Sequence, residues 1–180
     1  MSDLFALYSK IHIASPALAA DYLISQGARW KPGPSATNNA YKLLKELADT
    51  GQLTRHTGYF SLPGCKSDWK NPHVRLLSEA LVNILKTYPQ SVAHREIHVP
   101  QIGVRADSII LIKNQNMGLC IVLELLVTET NPEHKIHTWE GWEGSLEYLS
   151  RLFGVKIPSF SIITAKGGED VCEKLLSISS

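Results

Sequence analysis

Apolar residues at the start of the chain recur at helical spacing, with Leu4, Leu7, Tyr8 and Ile11 predicting a helix over residues 4–13. Ser15 before Pro16 is a helix start, because a hydroxyl can accept from an early backbone N–H and proline tolerates the first helical position. The helix predicted from Pro16 to Gln26 ends at Gly27. Lys31-Pro32-Gly33-Pro34 interrupts the pattern, and Ser35 is expected to cap a third helix reaching about Asp49, with Ala36, Ala40, Leu43, Leu44 and Leu47 on its apolar stripe. Gly51 ends it, and two short runs, Leu53–His56 and Tyr59–Leu62, flank Thr57-Gly58 as in a hairpin. The stretch from Pro63 to Pro72 is rich in turn formers and has no apolar periodicity, so it reads as a linker.

Beyond it the period changes twice. Val74, Leu77, Leu81, Ile84 and Leu85 predict a helix over residues 73–88. Strand-like segments follow at Arg95–Val99, Arg105–Ile112 and Leu119–Val127, with a turn at Asn114–Gly118 between the last two. The third is nearly continuous in apolar residues, as in a central strand. A single helix is expected from about Pro132 to Phe153, then a strand over Ser159–Thr164 and a last helix over Glu169–Ser177. The order α-β-β-β-α-β-α predicts an α/β (α+β) fold with a central mixed sheet. The expected division is residues 1–63, a linker at 64–72 and residues 73–180.

Net charge is +1 over 180 residues with 44% apolar residues, which excludes a strongly basic wrapping protein, an acidic tail and a disordered chain. Residues 1–70 carry eight basic and five acidic side chains, net +3, and the remainder is net −2. Cys65, Cys120 and Cys172 lie far apart and form no CxxC pair, which fits a reducing compartment. The longest apolar stretch is too short to cross a bilayer and no export signal is visible, so the cytoplasm is the expected location and no membrane partner is expected. No phosphate-cradling glycine loop or nucleophile elbow is present. His134 and His137 have zinc-ligand spacing without an obvious third or fourth ligand, and read better as solvated residues. Glu140, Glu143 and Glu147 are expected to share one solvated helix face, and Trp139 and Trp142 to pack.

Three helices and a small hairpin, with Gly51-Gln52-Leu53-Thr54-Arg55-His56-Thr57-Gly58-Tyr59-Phe60-Ser61-Leu62 at the hairpin, resemble winged helix-turn-helix domains. The resemblance implies DNA as partner. The third helix offers Asn38 and Tyr41 to base edges, and Lys42, Lys45 and Arg55 to phosphates. An alternative is a solvated face or a protein-docking module.

Glu124 lies inside an apolar strand, where a carboxylate is costly unless it meets a cation or a metal. Asp107 begins the preceding strand, and neighbouring strands can bring the two acids together. A divalent cation relieves their repulsion. A structural ion pair of Glu124 with Arg95 or Arg105 is the alternative. Glu79 on a helix, Arg105-Ala106-Asp107, and Glu124-Leu125-Leu126 resemble the acids of the PD-(D/E)xK nuclease superfamily, with Leu126 in place of the lysine. Together with the front segment, the chain resembles the replication-relaxation family of plasmid and mobile-element proteins, and antitoxin-type regulators with a nuclease-like tail. The resemblance implies Mg²⁺ or Mn²⁺ held by Glu79, Asp107 and Glu124, with Asp107, Glu124 and Lys135 in catalysis. Lys135, from the following helix, would replace the missing lysine, Lys113 being the weaker candidate. The implied function is DNA processing for a plasmid, phage or transposable element, as a Mg²⁺-dependent endonuclease. The alternative is an inactive winged-helix regulator or accessory protein that uses the second domain to bind DNA, a partner protein or a second copy of itself.

Overall fold

The computed structural model describes residues 2–114, 117–126, 132–166 and 168–179. By compactness the chain divides into two units, Met1–Lys86 and Thr87–Ser180. The first is mainly helical and the second is built on a sheet.

In the first unit, α1 (Ser2–Ile11) buries Leu4, Leu7, Tyr8 and Ile11, the stripe its spacing predicts. The helix stops two residues short of the expected end. His12 adopts φ +64° and its N–H donates to the Tyr8 carbonyl at 2.8 Å, which turns Ile13–Ala14 out as strand β1. The periodic pattern runs through Ile13 because a buried strand residue and a buried helix residue look alike in a short apolar run. The Tyr8 hydroxyl donates to the Ala14 carbonyl at 3.1 Å and fixes that corner from inside the core. In α2 (Pro16–Ser25) the Ser15 hydroxyl accepts from the Leu18 N–H at 3.3 Å, the expected cap.

Helix α3 (Pro34–Asp49) begins two residues earlier than its sequence predicts. Gly33, at φ +127°, occupies the capping position that Ser35 was expected to fill, and Pro34 takes the first helical position, where its missing N–H is not needed. Ala36, Ala40, Leu44 and Leu47 are buried. Gly51, at φ +75°, closes the helix. Strands β2 (Thr54–Arg55) and β3 (Phe60–Ser61) form the expected antiparallel hairpin, and β1 pairs with the far side of β3 to give a three-stranded sheet in the order β1-β3-β2. Helix α4 (Pro72–Thr87) buries Val74, Leu77, Leu81, Ile84 and Leu85. By compactness it groups with the first unit, where the Lys86 ammonium reaches the Asp21 carboxylate of α2 at 2.6 Å.

In the second unit, β4 (Val92–Val99), β5 (Val104–Asn114) and β6 (Met117–Leu125) form an antiparallel meander. Strand β7 (Phe160–Ala165) adds parallel to β6, so the sheet is mixed, in the order β4-β5-β6-β7. This is the α/β class the pattern of elements predicts. Residues 115 and 116 of the expected turn, and Val127 at the expected end of the third strand, lie outside the described residues. Every residue from Cys120 to Leu125 is buried, as expected for a central strand.

The long helix expected over residues 132–153 is two helices, α5 (Glu133–Glu140) and α6 (Ser145–Phe153). Gly141 and Gly144 make the break. A Cβ on Gly144 would stand 2.7 Å from Trp142 Nε1, so the missing side chain lets the indole fold back beside it. Trp142 then packs on Trp139, with ring centroids 6.0 Å apart, and on Tyr148. Trp139 is fully buried among Val99, Ile109, Val122, Leu149 and Ile157. The break also puts Glu143 in the connection, so the three glutamates do not share a helix face. Gly154, at φ +65°, ends α6, and α7 (Gly168–Ser179) follows β7.

Candidate functional site

The sheet register puts the acids in a row. Ser108 of β5 pairs with Leu123 of β6, and one step further Asp107 stands opposite Glu124. On the other side of β5, the pairs Arg95–Ser108 and Ile97–Ala106 bracket Glu96 opposite Asp107. On the far edge of the row Thr164 of β7 pairs with Glu124.

Glu124 is buried, its side chain 3% exposed, and its Oε2 accepts from the Lys135 ammonium at 2.5 Å. Lys135 stands in the first turn of α5 and is 38% exposed, so the pair has one buried end and one end at the surface. The same ammonium donates to the Arg105 carbonyl at 3.0 Å. Lys135 thus ties the start of α5 to β5 and β6 at once. Asp107 is half-buried, and its Oδ2 accepts from the Leu125 N–H at 2.6 Å. That bond fixes the carboxylate against the strand that carries Glu124. Leu126, at the position where the resembling nucleases carry lysine, is half-buried and its N–H donates to the Ala165 carbonyl at 2.8 Å.

Lys135 is therefore set on Glu124, and Asp107 on the backbone of the strand that carries Glu124. Glu79 is exposed on α4, in the first unit, whereas Asp107, Glu124 and Lys135 belong to the second. Among the described residues no three His, Cys, Asp or Glu side chains gather to hold a metal. The side chain of Lys113, the weaker lysine candidate, lies outside the described residues.

Glu96 has no signal in the sequence, where it is one polar residue in an alternating strand. Its φ of +52° is the left-handed region, unusual for a residue with a Cβ. Its carboxylate lies 3.7 Å from Arg105 Nη2.

A second group of residues lies on the first unit. Asn38, Lys42 and Lys45 are exposed on one face of α3, opposite its buried stripe, and Tyr41 is half-buried between them. Arg55 on β2 is exposed, with its guanidinium carbon 5.4 Å from the centre of the Tyr41 ring, a cation–π contact. Among the described residues Lys42, Lys45 and Arg55 enter no ion pair. Three cations from two elements thus stand without an ion pair among the described residues.

Of the histidines, His56 lies beside Arg55 and Tyr41. His134 and His137 are exposed on α5, and His137 faces Glu140 at 3.8 Å. His94 is half-buried and stacked at a tilt on Phe153, ring centres 5.2 Å apart, and burial holds its imidazole below the usual histidine value. The Cys120 thiol is pushed up to about 12 by burial, which the Ile121 N–H partly offsets.

No family model, curated protein or solved structure matches the chain. No helix among the described residues is long and apolar enough to cross a membrane.

Proposed function

We propose that the chain binds DNA through a winged-helix first unit and carries a nuclease-like second unit that hydrolyses phosphodiester bonds with Mg²⁺ or Mn²⁺. Processing of plasmid, phage or transposable-element DNA is the role that fits this pairing. The observation that carries the reading is the ammonium of Lys135, 2.5 Å from Glu124 with Asp107 on the adjoining strand. Two acids and a lysine come together although the lysine does not follow Glu124 on its own strand.

The donor set suits a hard divalent cation, because Mg²⁺ uses one or two carboxylates and completes its shell with water and phosphate oxygens. Asp107 and Glu124 would hold it. The ion supplies Lewis-acid polarisation of the phosphate and a more acidic water. Lys135 brings a positive charge on an exposed stem to the same place, where it can stabilise the charge that develops on the phosphate oxygens. The Leu125 N–H keeps Asp107 from swinging away. Lys42, Lys45 and Arg55 are free to meet backbone phosphates, and Asn38 and Tyr41 to meet base edges.

A second reading is supported by the same contacts. Lys135 neutralises Glu124, and one oxygen of Asp107 is spent on the backbone, which is how a nuclease-like fold kept for binding or dimerisation would close its old site. The deciding experiment incubates the protein with supercoiled and with branched DNA, with Mg²⁺, with Mn²⁺ and with chelator, beside Glu124→Gln and Lys135→Ala. Metal-dependent cutting is expected, lost in Glu124→Gln and reduced roughly a hundredfold in Lys135→Ala, in line with removal of one charge-stabilising group. A gel shift with no cutting under any metal would establish the second reading.

A further inference from the structure

The hairpin of the first unit carries a groove beside the exposed face of α3. Tyr41, Arg55, His56, Thr57 and Gly58 line an open groove of about 450 Å³ between α3 and the β2–β3 turn. Its walls are flat rings and a cation. Tyr41 is braced edge-on by Phe60, ring centres 5.8 Å apart at 67°. Arg55 lies over the Tyr41 ring and has no ion pair among the described residues. His56 is held by Ser61, Nε2 to Oγ at 3.0 Å, and stacks on Tyr59 at 4.3 Å with the planes 9° apart. Tyr59 in turn lies 6.1 Å from Trp69 at 22°. The ring wall is therefore rigid and backed three deep. Among the described residues no carboxylate lines the groove, and Gly58, at φ +82°, has open space where a Cβ would stand.

We infer that this groove is a nucleotide site that takes one unpaired base of a DNA strand together with its phosphate. The inference rests on the DNA-binding reading and makes it more specific. A ligand that fits must be flat, to use the rings, and anionic, to use Arg55. An unpaired nucleotide is both, and stacking on aromatic side chains beside a cation is how single strands are held. The volume falls in the range of roughly 300–1,000 Å³ that small-molecule sites occupy. A paired base presents no face, since its neighbours in the stack cover it. The recognised DNA is therefore a junction, a bubble or a strand end. A free nucleotide offers the same chemistry, so the test separates the two sources.

Fluorescence anisotropy at one salt concentration compares a blunt duplex with the same duplex carrying a short single-stranded overhang, for the wild-type protein, Tyr41→Leu and Arg55→Lys. The wild type is expected to bind the overhang duplex about tenfold more tightly, the scale of one stacked base. Both variants should bring the ratio of the two affinities to about one, whatever happens to blunt-duplex affinity. Arg55→Lys keeps the charge, so loss of the ratio there reports the planar contact. Arg55 is exposed, and unchanged thermal unfolding of that variant would show that the fold survives. Equal binding of both DNAs by the wild type, or a ratio unchanged in both variants, overturns the inference while DNA binding itself stands. If the wild type binds neither DNA, the DNA-binding reading fails. The groove is then judged by titration with a deoxynucleoside monophosphate, read by tryptophan fluorescence. Saturable quenching in the wild type, absent in Arg55→Lys, assigns it to a free nucleotide, and no response overturns it.

Discussion

Lys135 is the side chain on which most depends. It compensates a carboxylate that is 3% exposed, and removing it leaves that charge inside the sheet with one partner fewer. Breaking a fully buried pair costs about 3–5 kcal/mol, and the partial exposure of Lys135 lowers this, so Lys135→Ala should destabilise the protein by about 2 kcal/mol in urea unfolding. Glu124→Gln with Lys135→Met, which removes both charges, should cost less than Lys135→Ala alone. Cys120 gives a second test at this scale. With its thiol pushed up to about 12 inside the core, it should resist alkylation at neutral pH while half-buried Cys65 reacts, as mapped by mass spectrometry of the folded protein. His94 gives a third. Burial lowers its value from 6.5, so the unfolded chain takes up the proton first as pH falls. The stability it contributes is complete above 6.5 and is lost as pH drops through the lower folded value. Urea midpoints measured on both sides of that value should differ less in His94→Gln than in the wild type.

At the scale of elements, the two groups of residues are placed by different means. The α3 face is a property of one helix: Asn38, Tyr41, Lys42 and Lys45 follow helical spacing, and the buried stripe on the other side orients them. The acid row is a property of strand register. A slip of one residue between β5 and β6 would separate Asp107 from Glu124 and turn one of them to the other face of the sheet. The start of α5 must also fall where Lys135 can reach both β5 and β6. The glycines at 141 and 144 shape the same region by ending α5 early enough for Trp139 and Trp142 to pack together. Gly144→Val should therefore lower the melting temperature by several degrees, because its side chain would stand where the Trp142 indole lies.

For the whole molecule, charge sets the character that the proposed DNA binding would have. A net charge of +1, with Lys42, Lys45 and Arg55 the cations on the α3 and hairpin face, predicts few phosphate contacts. If Lys42, Lys45 and Arg55 are those contacts, the slope of log K against log salt should be about −3 on duplex DNA. Lys42→Ala with Arg55→Ala should reduce its magnitude by about 2 and weaken binding to every sequence alike. Anisotropy titrations over a range of salt concentrations measure both. An affinity unmoved by the double substitution would remove the α3 face from the DNA-binding reading.

The amino-acid sequence by itself determined the type and order of nearly every element, because apolar spacing, Ser15-Pro16 and Gly51 act within a few residues of where they stand. It also marked Glu124, since a carboxylate in an apolar run needs an explanation wherever that run folds, but the ion-pair partners it suggested were Arg95 and Arg105, Lys135 coming only with the nuclease resemblance, and the fold sets Lys135 on Glu124 and Arg105 by Glu96. Only the tertiary structure decided what depends on distant partners. Strand β1 exists because β3 offers an edge to residues 13–14, and Gly33 rather than Ser35 precedes the first turn of α3. The expected long helix divides because the indole of Trp142 needs the space beside Gly144. Glu96 is set opposite Asp107 by the strand pairs on either side of it, and the groove of the first unit exists because a helix residue, Tyr41, meets a strand residue, Arg55. Local spacing writes elements into a sequence, but a site assembled across strands is written only in how they pair.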